Sequence, residues 1–324
     1  MSNMSRRRAE LIANTVLETI LSAYGLSRPG DIYPWLELAG TSPQFDLRNA
    51  ESLAGAAAAL RSPAGRFRFH VDLASAQSGG THPMVAALQD AEVALSLGAP
   101  IEHPLETDPR DGGQRYKSVM SVRVVPSAGI ALSSEAMPFH QDGLGSAGSI
   151  RFVAMCLDSG PSAGGRQLYS NALAQGLVLA DRYWDRFVSA TQLDALTVTR
   201  LAGKQHVSIT GPMFYVDECG IPAAFFRGQG GEYAIMPSAS VSPWFEDHCQ
   251  AVSAAAHVEV LAPGDCLVVD NLSMVHARDS FEEDPAAVRR LSRKWYAIQP
   301  SRVGVWTREP FRLSASIYGE ATLR

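Results

Sequence analysis

Residues 139–143 read Phe-His-Gln-Asp-Gly, a stretch that sets a histidine and an aspartate two positions apart, at His140 and Asp142. On a β-strand, residues i and i+2 point to the same side, so both side chains reach one ion while Gln141 points away. Two imidazoles and one carboxylate form the ligand set that holds Fe(II) on one face of an octahedron and leaves positions open. The tripeptide alone is not specific, because ordinary strand and surface positions also show this spacing.

A second histidine, His276, completes the ligand set 136 residues further on. It follows the turn signal Pro263-Gly264-Asp265 and the apolar run 266–269, which has the character of a buried strand. A fold that brings residue 276 beside residue 140 must return the chain next to its earlier strand. The sequence therefore predicts a metal site formed by His140, Asp142 and His276.

A basic stretch follows, in which Arg290 lies 14 residues after His276. An arginine on the next strand suits a dicarboxylate, because its planar fork binds a carboxylate through two parallel hydrogen bonds. Arg289 and Arg293, one and three places away, are then expected to face the opposite side of the strand. The alternative interpretation is that these arginines and Lys294 form a solvated basic face.

Taken together, these stretches resemble the iron(II)- and 2-oxoglutarate-dependent oxygenases of the taurine dioxygenase and clavaminate synthase type. The matching stretches are residues 139–143, 263–265, 270–271 and 275–281 with Arg290, and the resemblance extends from about residue 66 to residue 299. It implies a mainly β (α+β) protein with covering helices around a double-stranded β-helix, the jelly-roll or cupin-type core. It also implies Fe(II) as the metal, 2-oxoglutarate and O2 as cosubstrates, and Arg290 as the residue that grips the distal carboxylate of 2-oxoglutarate.

Two positions depart from the pattern of that family. Gln167 stands where members often carry a threonine or serine shortly after a Gly-Gly pair, here Gly164-Gly165, so it is the candidate for a second cosubstrate contact. Asp142 stands where clavaminate synthase and several amino-acid hydroxylases use a glutamate, and both carboxylates ligate iron. Iron halogenases of this superfamily replace the carboxylate with a small residue, so the retained Asp142 favours hydroxylation.

The activity that the resemblance implies is hydroxylation of an unactivated C–H bond, coupled to decarboxylation of 2-oxoglutarate to succinate and carbon dioxide. The expected substrate is a small polar metabolite, such as an amino acid, a peptide-like molecule or a natural-product intermediate. Gln141, Arg227 and Gln229 are candidate substrate-binding residues, and no catalytic residue beyond the metal ligands is required.

Three alternatives stay open at the level of the sequence. The same cofactors also support desaturation, epoxidation or cyclisation. A cupin-like protein that binds a ligand without turnover would keep the same barrel. A hydrolase would use the same three ligands with Zn(II), because affinity for divalent ions does not by itself select iron.

Composition favours a cytoplasmic enzyme with a small-molecule substrate. A formal net charge of −5 and a pI near 5.9 argue against a protein that binds nucleic acid mainly through phosphate contacts. A membrane partner is not expected either, because no apolar stretch approaches the roughly 20 residues that cross a bilayer and the N-terminus lacks a signal-peptide pattern. The four cysteines are dispersed without a Cys-x-x-Cys pair, which predicts reduced thiols. The oligomeric state is not indicated.

The pattern along the chain predicts one oxygenase domain over residues 1–324. An N-terminal helical portion, about residues 1–65, is expected to pack on a jelly-roll core of about residues 66–300. Helices are predicted at residues 5–24, 50–60, 83–97, 170–193 and 243–256, and short strands dominate from residue 118. The aromatic residues Tyr183, Trp184 and Phe187 are expected on the apolar side of the fourth helix.

Overall fold

The fold is that of a computed structural model. The structure describes residues 3–37, 42–74, 80–101, 119–122, 133–143, 150–160, 165–202, 205–217, 219–230, 233–282, 288–297 and 312–317. Within these ranges the α-helices are α1 (Asn3–Tyr24), α2 (Tyr33–Glu37), α3 (Ala50–Arg61), α4 (Pro83–Leu95), α5 (Ala172–Arg182), α6 (Trp184–Ala190) and α7 (Ser242–Ala254).

The strands are short, as the sequence predicts, and pair antiparallel. They are β1 (Arg66–His70), β2 (Ala99–Ile101), β3 (Met120–Val122), β4 (Met137–His140), β5 (Phe152–Ser159), β6 (Gln167–Asn171), β7 (Leu196–Ala202), β8 (Gln205–Gly211), β9 (Phe214–Val216), β10 (Pro222–Ala224), β11 (Tyr233–Pro237), β12 (His257–Glu259), β13 (Asp265–Asp270), β14 (Met274–Arg278), β15 (Arg290–Ala297) and β16 (Arg312–Ile317).

Two sheets form the core that positions the site. One has the strand order β1-β13-β5-β15-β2, with β3 also paired to β15, and the other has the order β12-β6-β14-β4. Because successive side chains alternate between the faces of a strand, one face of each sheet supplies a shared apolar cluster that includes Val153, Tyr169, Leu267, Met274 and Leu291. This two-sheet arrangement is the one expected of the predicted jelly roll.

Helices cover the outside of these sheets in two groups. α3 and α4 pack on the larger sheet around Leu60, Phe67 and Leu88. α1, α5, α6 and α7 enclose a second cluster, which includes Phe187 and Phe214, together with the hairpin β9–β10 and part of the sheet β11-β7-β8-β16. Among the described residues, no helix is both long enough and apolar enough to cross a bilayer.

One predicted helix differs from the observed structure. Residues 170–193 form a strand end and two helices, because α5 ends at Arg182 and α6 begins at Trp184. Tyr183 lies between them with φ −145° and ψ 64°, outside the helical region, and 49% of it is exposed. Phe187 is fully buried as predicted, whereas the prediction for Tyr183 is wrong. The four cysteines are free thiols.

Candidate metal centre

The two predicted histidine ligands face each other across a pair of strands. His140 ends β4 and pairs directly with His276 in the middle of β14. Residues in direct register on antiparallel strands have side chains on the same face, and the two imidazole centroids lie 4.2 Å apart. Pairing of β4 with β14 thus brings together two histidines that are far apart in the sequence.

Asp142 follows immediately after the end of β4 and is held there by Asn271. The Asp142 backbone N–H donates to Asn271 Oδ1 at 2.8 Å, and Asn271 Nδ2 donates back to the Asp142 carbonyl at 3.1 Å. The chain then turns at Gly143, whose φ of +68° favours glycine and where an added Cβ would collide with Ile150. His140 and Asp142 thus share one side, as the i, i+2 argument predicts, although the strand itself ends at His140.

The three side chains present one donor atom each to a common point. Asp142 Oδ1 lies 3.6 Å from His140 Nε2 and 3.6 Å from His276 Nε2, and all three residues are buried. His140 Nδ1 donates to the Pro138 carbonyl at 2.9 Å, which leaves the Nε2 lone pair facing the other two ligands. This Nε2 is buried and has no hydrogen-bond partner among the described residues. A bound metal would accept the lone pair of this buried nitrogen and so provide the partner that it lacks. The three residues therefore fit Fe(II).

Electrostatics keep His140 and Asp142 in their metal-binding forms. Burial, together with the neighbouring His276 and Arg227, lowers the pKa of His140 to about 3, against the effect of Asp142. Burial alone would raise the pKa of Asp142, but Arg293 and the two histidines outweigh it and hold that pKa well below its ordinary value. The site therefore presents a neutral imidazole and an ionised carboxylate at neutral pH.

Two side chains of β15 hold the Asp142 carboxylate. Arg293 Nη1 donates to both oxygens, at 2.9 Å for Oδ1 and 2.8 Å for Oδ2. The indole Nε1 of Trp295 donates to Oδ2 at 2.8 Å. Oδ1, which faces the histidines, thus accepts from Arg293, whereas Oδ2 accepts from both Arg293 and Trp295.

A half-enclosed pocket opens beside the ligands and has a basic wall. Both histidines line it, together with Gln167, Arg278, Arg289 and Arg293. Burial, together with the positive charges of Arg289 and Arg293, lowers the pKa of Arg278 to about 10. Three guanidinium groups that lie near one another in a half-enclosed site favour an anionic occupant.

Arg290 is not among the residues that line this pocket, whereas Arg289 and Arg293, on the opposite side of the strand, are. Leu291, Arg293 and Trp295 face the barrel interior, and Arg289 shares their odd-numbered alternation and lines the pocket. Arg290 instead has the alternation of residues 292 and 296, which face the helix-covered side. Arg289 is buried, which lowers its pKa, and its Nη2 lies 3.3 Å from the carbonyl oxygen of Gly165.

The candidate substrate residues lie in three different environments. Gln141 is buried away from the pocket, where its amide donates to the Asn271 carbonyl at 2.6 Å and accepts from the Phe226 N–H at 3.0 Å. Arg227 is buried, its backbone forms a bridge with His140, and its guanidinium lies 3.3 Å from the centroid of the Tyr233 ring. The side chain of Gln229 is exposed. None of the three is among the residues that line the pocket beside the metal ligands.

A second buried group of metal-binding residue types consists of His82, Cys156 and Asp158. Its polar atoms already bond to one another and to the protein. His82 Nε2 donates to Asp158 Oδ1 at 2.9 Å, His82 Nδ1 accepts from the Met84 N–H at 3.0 Å, and Ser292 Oγ donates to Asp158 Oδ2 at 2.6 Å. This group joins the N-terminus of α4 to the sheet.

Residues 80–295 match the family described as taurine catabolism dioxygenase TauD, TfdA family. The chain belongs to this family. Membership confirms the predicted family resemblance and the enzyme class, a dioxygenase that uses iron and 2-oxoglutarate. A search of curated protein sequences found no match.

Solved structures with the same fold as this TauD-family chain include two amino-acid oxygenases. Asparagine oxygenase in complex with Fe(II), 2S,3S-3-hydroxyasparagine and succinate is 19% identical, with 92% of each chain covered and a TM-score of 0.57. The non-heme iron oxygenase OrfP in complex with Fe, succinate and (3S)-hydroxy-L-Arg is 15% identical, with 90% of this chain and 94% of that chain covered and a TM-score of 0.56. These likenesses confirm the predicted double-stranded β-helix.

Sequence reasoning did not identify Arg278, Arg289, Arg293 or Trp295 as residues of the site. A signal for three of them was present, because Arg289 and Arg293 alternate in step with the bulky apolar residues Leu291 and Trp295. Those apolar residues mark the interior face, so the arginines in step with them face the site. Arg278 carried no comparable signal, since it lies two residues after His276 in a strand that is buried throughout.

Proposed function

We propose that this protein is an Fe(II)- and 2-oxoglutarate-dependent hydroxylase of a small molecule that carries a carboxylate, of the amino-acid kind. The observation that carries the proposal is the convergence of His140 Nε2, His276 Nε2 and Asp142 Oδ1 beside a pocket with three arginines. His140, Asp142 and His276 would hold the iron. The bound iron supplies the oxidative chemistry, with 2-oxoglutarate and dioxygen as the co-reactants.

For the cosubstrate, we assign the distal carboxylate of 2-oxoglutarate to Arg289 rather than Arg290. Arg289 lines the pocket and lies against the carbonyl of Gly165, two residues before Gln167, which begins β6 in the other sheet. Gln167 is buried and also lines the pocket, so its amide N–H groups are available to the same carboxylate. A planar guanidinium in a desolvated wall binds a carboxylate through two parallel hydrogen bonds.

Charge balance supports an anionic substrate. The pocket wall carries the positive charges of Arg278, Arg289 and Arg293, whereas Asp142 is the one carboxylate among the three metal ligands. A divalent metal adds two positive charges and 2-oxoglutarate adds two negative charges, so a positive excess remains after the cosubstrate binds. A substrate carboxylate reduces that excess. The complexes of the two oxygenases with the same fold contain hydroxylated asparagine and hydroxylated arginine, which are amino acids of this kind.

The residues of the chain contribute binding, orientation and exclusion of water. The arginine wall holds anionic groups at the pocket, and the burial of all three metal ligands keeps bulk water from the reacting centre. Hydroxylation is the outcome that we propose, because the carboxylate ligand is retained at Asp142. Desaturation, epoxidation and cyclisation would use the same residues and would differ only in the product.

Turnover with a panel of carboxylate-bearing amino acids tests this function. Protein loaded with Fe(II) should form succinate only when 2-oxoglutarate, dioxygen and a substrate are all present, and the product should gain the mass of one oxygen atom. Loss of two hydrogen atoms would instead identify desaturation. Binding without succinate would indicate a ligand-binding protein, and turnover without dioxygen would indicate a hydrolase.

A further inference from the structure

The Asp142 carboxylate has two chemically different oxygens because of its surroundings. Oδ1 lies 3.6 Å from both ligand nitrogens of His140 and His276, whereas Oδ2 receives the indole N–H of Trp295 at 2.8 Å. Metal bonds to imidazole nitrogen and carboxylate oxygen of about 2.1 Å place two ligand atoms at a right angle about 3 Å apart. The arrangement around Oδ1 is therefore close to that of a metal ligand, and Oδ2 points to a different partner.

We propose that Trp295 is a positioning residue that keeps Asp142 bound to the metal through Oδ1 alone. This inference rests on the proposed function, because it requires a metal held by His140, Asp142 and His276. A carboxylate that swung to bind through both oxygens would take one of the three coordination positions that two histidines and one carboxylate leave open. The Trp295 hydrogen bond opposes that rotation, since Oδ2 would have to give up its donor.

The position of Trp295 in the sheet makes it suited to this role. It lies inside β15, between Val153 of β5 and Ile101 of β2, so its backbone is fixed by strand pairing on both sides. Its ring packs against the apolar cluster of the barrel interior. A donor carried by a rigid, paired strand holds an acceptor more accurately than one carried by a flexible chain.

Arg293 also contacts the carboxylate, but its positive charge sets it apart from Trp295. Its Nη1 lies 2.9 Å from Oδ1, the oxygen that faces the histidines, and 2.8 Å from Oδ2. A divalent cation at Oδ1 repels a guanidinium at that distance, whereas it does not repel a neutral indole N–H. Trp295 is therefore the donor that holds Oδ2 whether or not the metal is bound.

The test compares metal binding in variants that lose an indole N–H at two different places. Trp295→Phe removes the donor, and replacement of Trp295 by its benzothiophene analogue exchanges only N–H for sulfur and keeps the ring volume. Trp244→Phe is the matched control, because Trp244 Nε1 donates at 3.0 Å to the carbonyl of Ser240, a residue outside the site. Affinity for Fe(II) and the visible spectrum of the Co(II)-substituted protein are measured without oxygen, together with the thermal midpoint of the metal-free protein.

The expected result is a loss of metal affinity of about tenfold for both Trp295 replacements, the size usual for groups that orient a ligand, with a changed Co(II) spectrum. Trp244→Phe should retain the wild-type affinity and spectrum. An unchanged affinity and spectrum in the benzothiophene protein would overturn the proposal, even if the thermal midpoint of its metal-free form fell. If Trp295→Phe fails to fold, the benzothiophene protein alone provides the test. If wild-type protein binds no metal at these ligands, the proposed function itself fails, which is a distinguishable outcome.

Discussion

Arg289, directly before β15, and Arg293, within it, both line the pocket beside the metal ligands. Their shared face places one guanidinium against Gly165 and the other against the Asp142 carboxylate. The two arginines thus have different partners, although they belong to the same basic stretch. We assign the cosubstrate to Arg289 for this reason.

Replacement of Arg289 should weaken the use of 2-oxoglutarate. A charge-assisted hydrogen bond is worth roughly 1.5–3 kcal/mol, so Arg289→Ala should raise the apparent 2-oxoglutarate requirement by at least about tenfold. Arg289→Lys should recover only part of the loss, because an ammonium restores the charge but not the planar fork. Steady-state kinetics against 2-oxoglutarate gives the measurement.

Arg290→Ala is the matched control for that experiment, since Arg290 is the adjacent arginine and lies outside the pocket lining. Its 2-oxoglutarate requirement should stay close to that of the wild type. A raised 2-oxoglutarate requirement in Arg290→Ala, together with a normal one in Arg289→Ala, would show that Arg290 and not Arg289 binds the cosubstrate.

Loss of the Gln141 amide should reduce stability rather than substrate affinity. Gln141 joins the ligand segment to the carbonyl of Asn271 and to the N–H of Phe226, and its removal leaves these buried groups unpaired. Gln141→Ala should lower the free energy of unfolding by about 1–3 kcal/mol, measured by urea denaturation of the metal-free protein. Gln229→Ala, at an exposed position, should change it little. Unchanged stability in Gln141→Ala with a raised substrate KM would instead support a substrate contact.

Stability should fall in acid partly because of His248. Burial among Phe214, Phe226 and Trp244 lowers the pKa of His248 to about 4, below its ordinary value of about 6.5. The unfolded chain therefore binds a proton that the folded one does not, so this contribution is complete above about pH 6.5 and is lost as the pH falls toward 4. It amounts to roughly 3 kcal/mol.

His248→Phe keeps an aromatic ring of similar size and should flatten that dependence. The free energies of unfolding of wild type and variant, compared at pH 7 and near pH 4.5, should differ by a pH-dependent amount. If wild type and variant differ in free energy of unfolding by the same amount at both pH values, the difference reflects packing alone. That result would contradict a pH-dependent contribution from His248.

Asp142→Gly should abolish hydroxylation, because the variant lacks the anionic ligand whose Oδ1 faces both histidines. The products formed in a chloride buffer should be analysed by mass spectrometry, which also detects any chlorinated molecule. Hydroxylation at the wild-type rate would show that Asp142 does not bind the metal.

Local rules were sufficient to predict the metal ligands but not the whole pocket. His140 and Asp142 follow from the two-residue period of an extended chain, and that period does not depend on the rest of the fold. Gln141 could not be interpreted from its position alone, since its partners Asn271 and Phe226 come from distant segments. The two sheets likewise arise from pairings such as β5 with β13, which are remote in sequence.

The arginines show why the register of a strand is hard to predict. The spacing of 14 residues from His276 selects Arg290, whereas the alternation of Leu291 and Trp295 selects Arg289 and Arg293. A shift of one residue moves every side chain to the other face. The apolar alternation is the better guide here, because burial of the interior face determines which side chains turn inward.

His140, Asp142 and His276 are expected to bind one Fe(II), which in turn supports the binding of 2-oxoglutarate. Anaerobic titration of the metal-free protein with Fe(II) in the presence of 2-oxoglutarate tests it most directly. The wild type should bind one Fe(II) per chain, and the variant with alanine at all three positions should bind none at this site while it remains folded. One equivalent of Fe(II) bound with the same affinity by the triple-alanine variant would contradict the account.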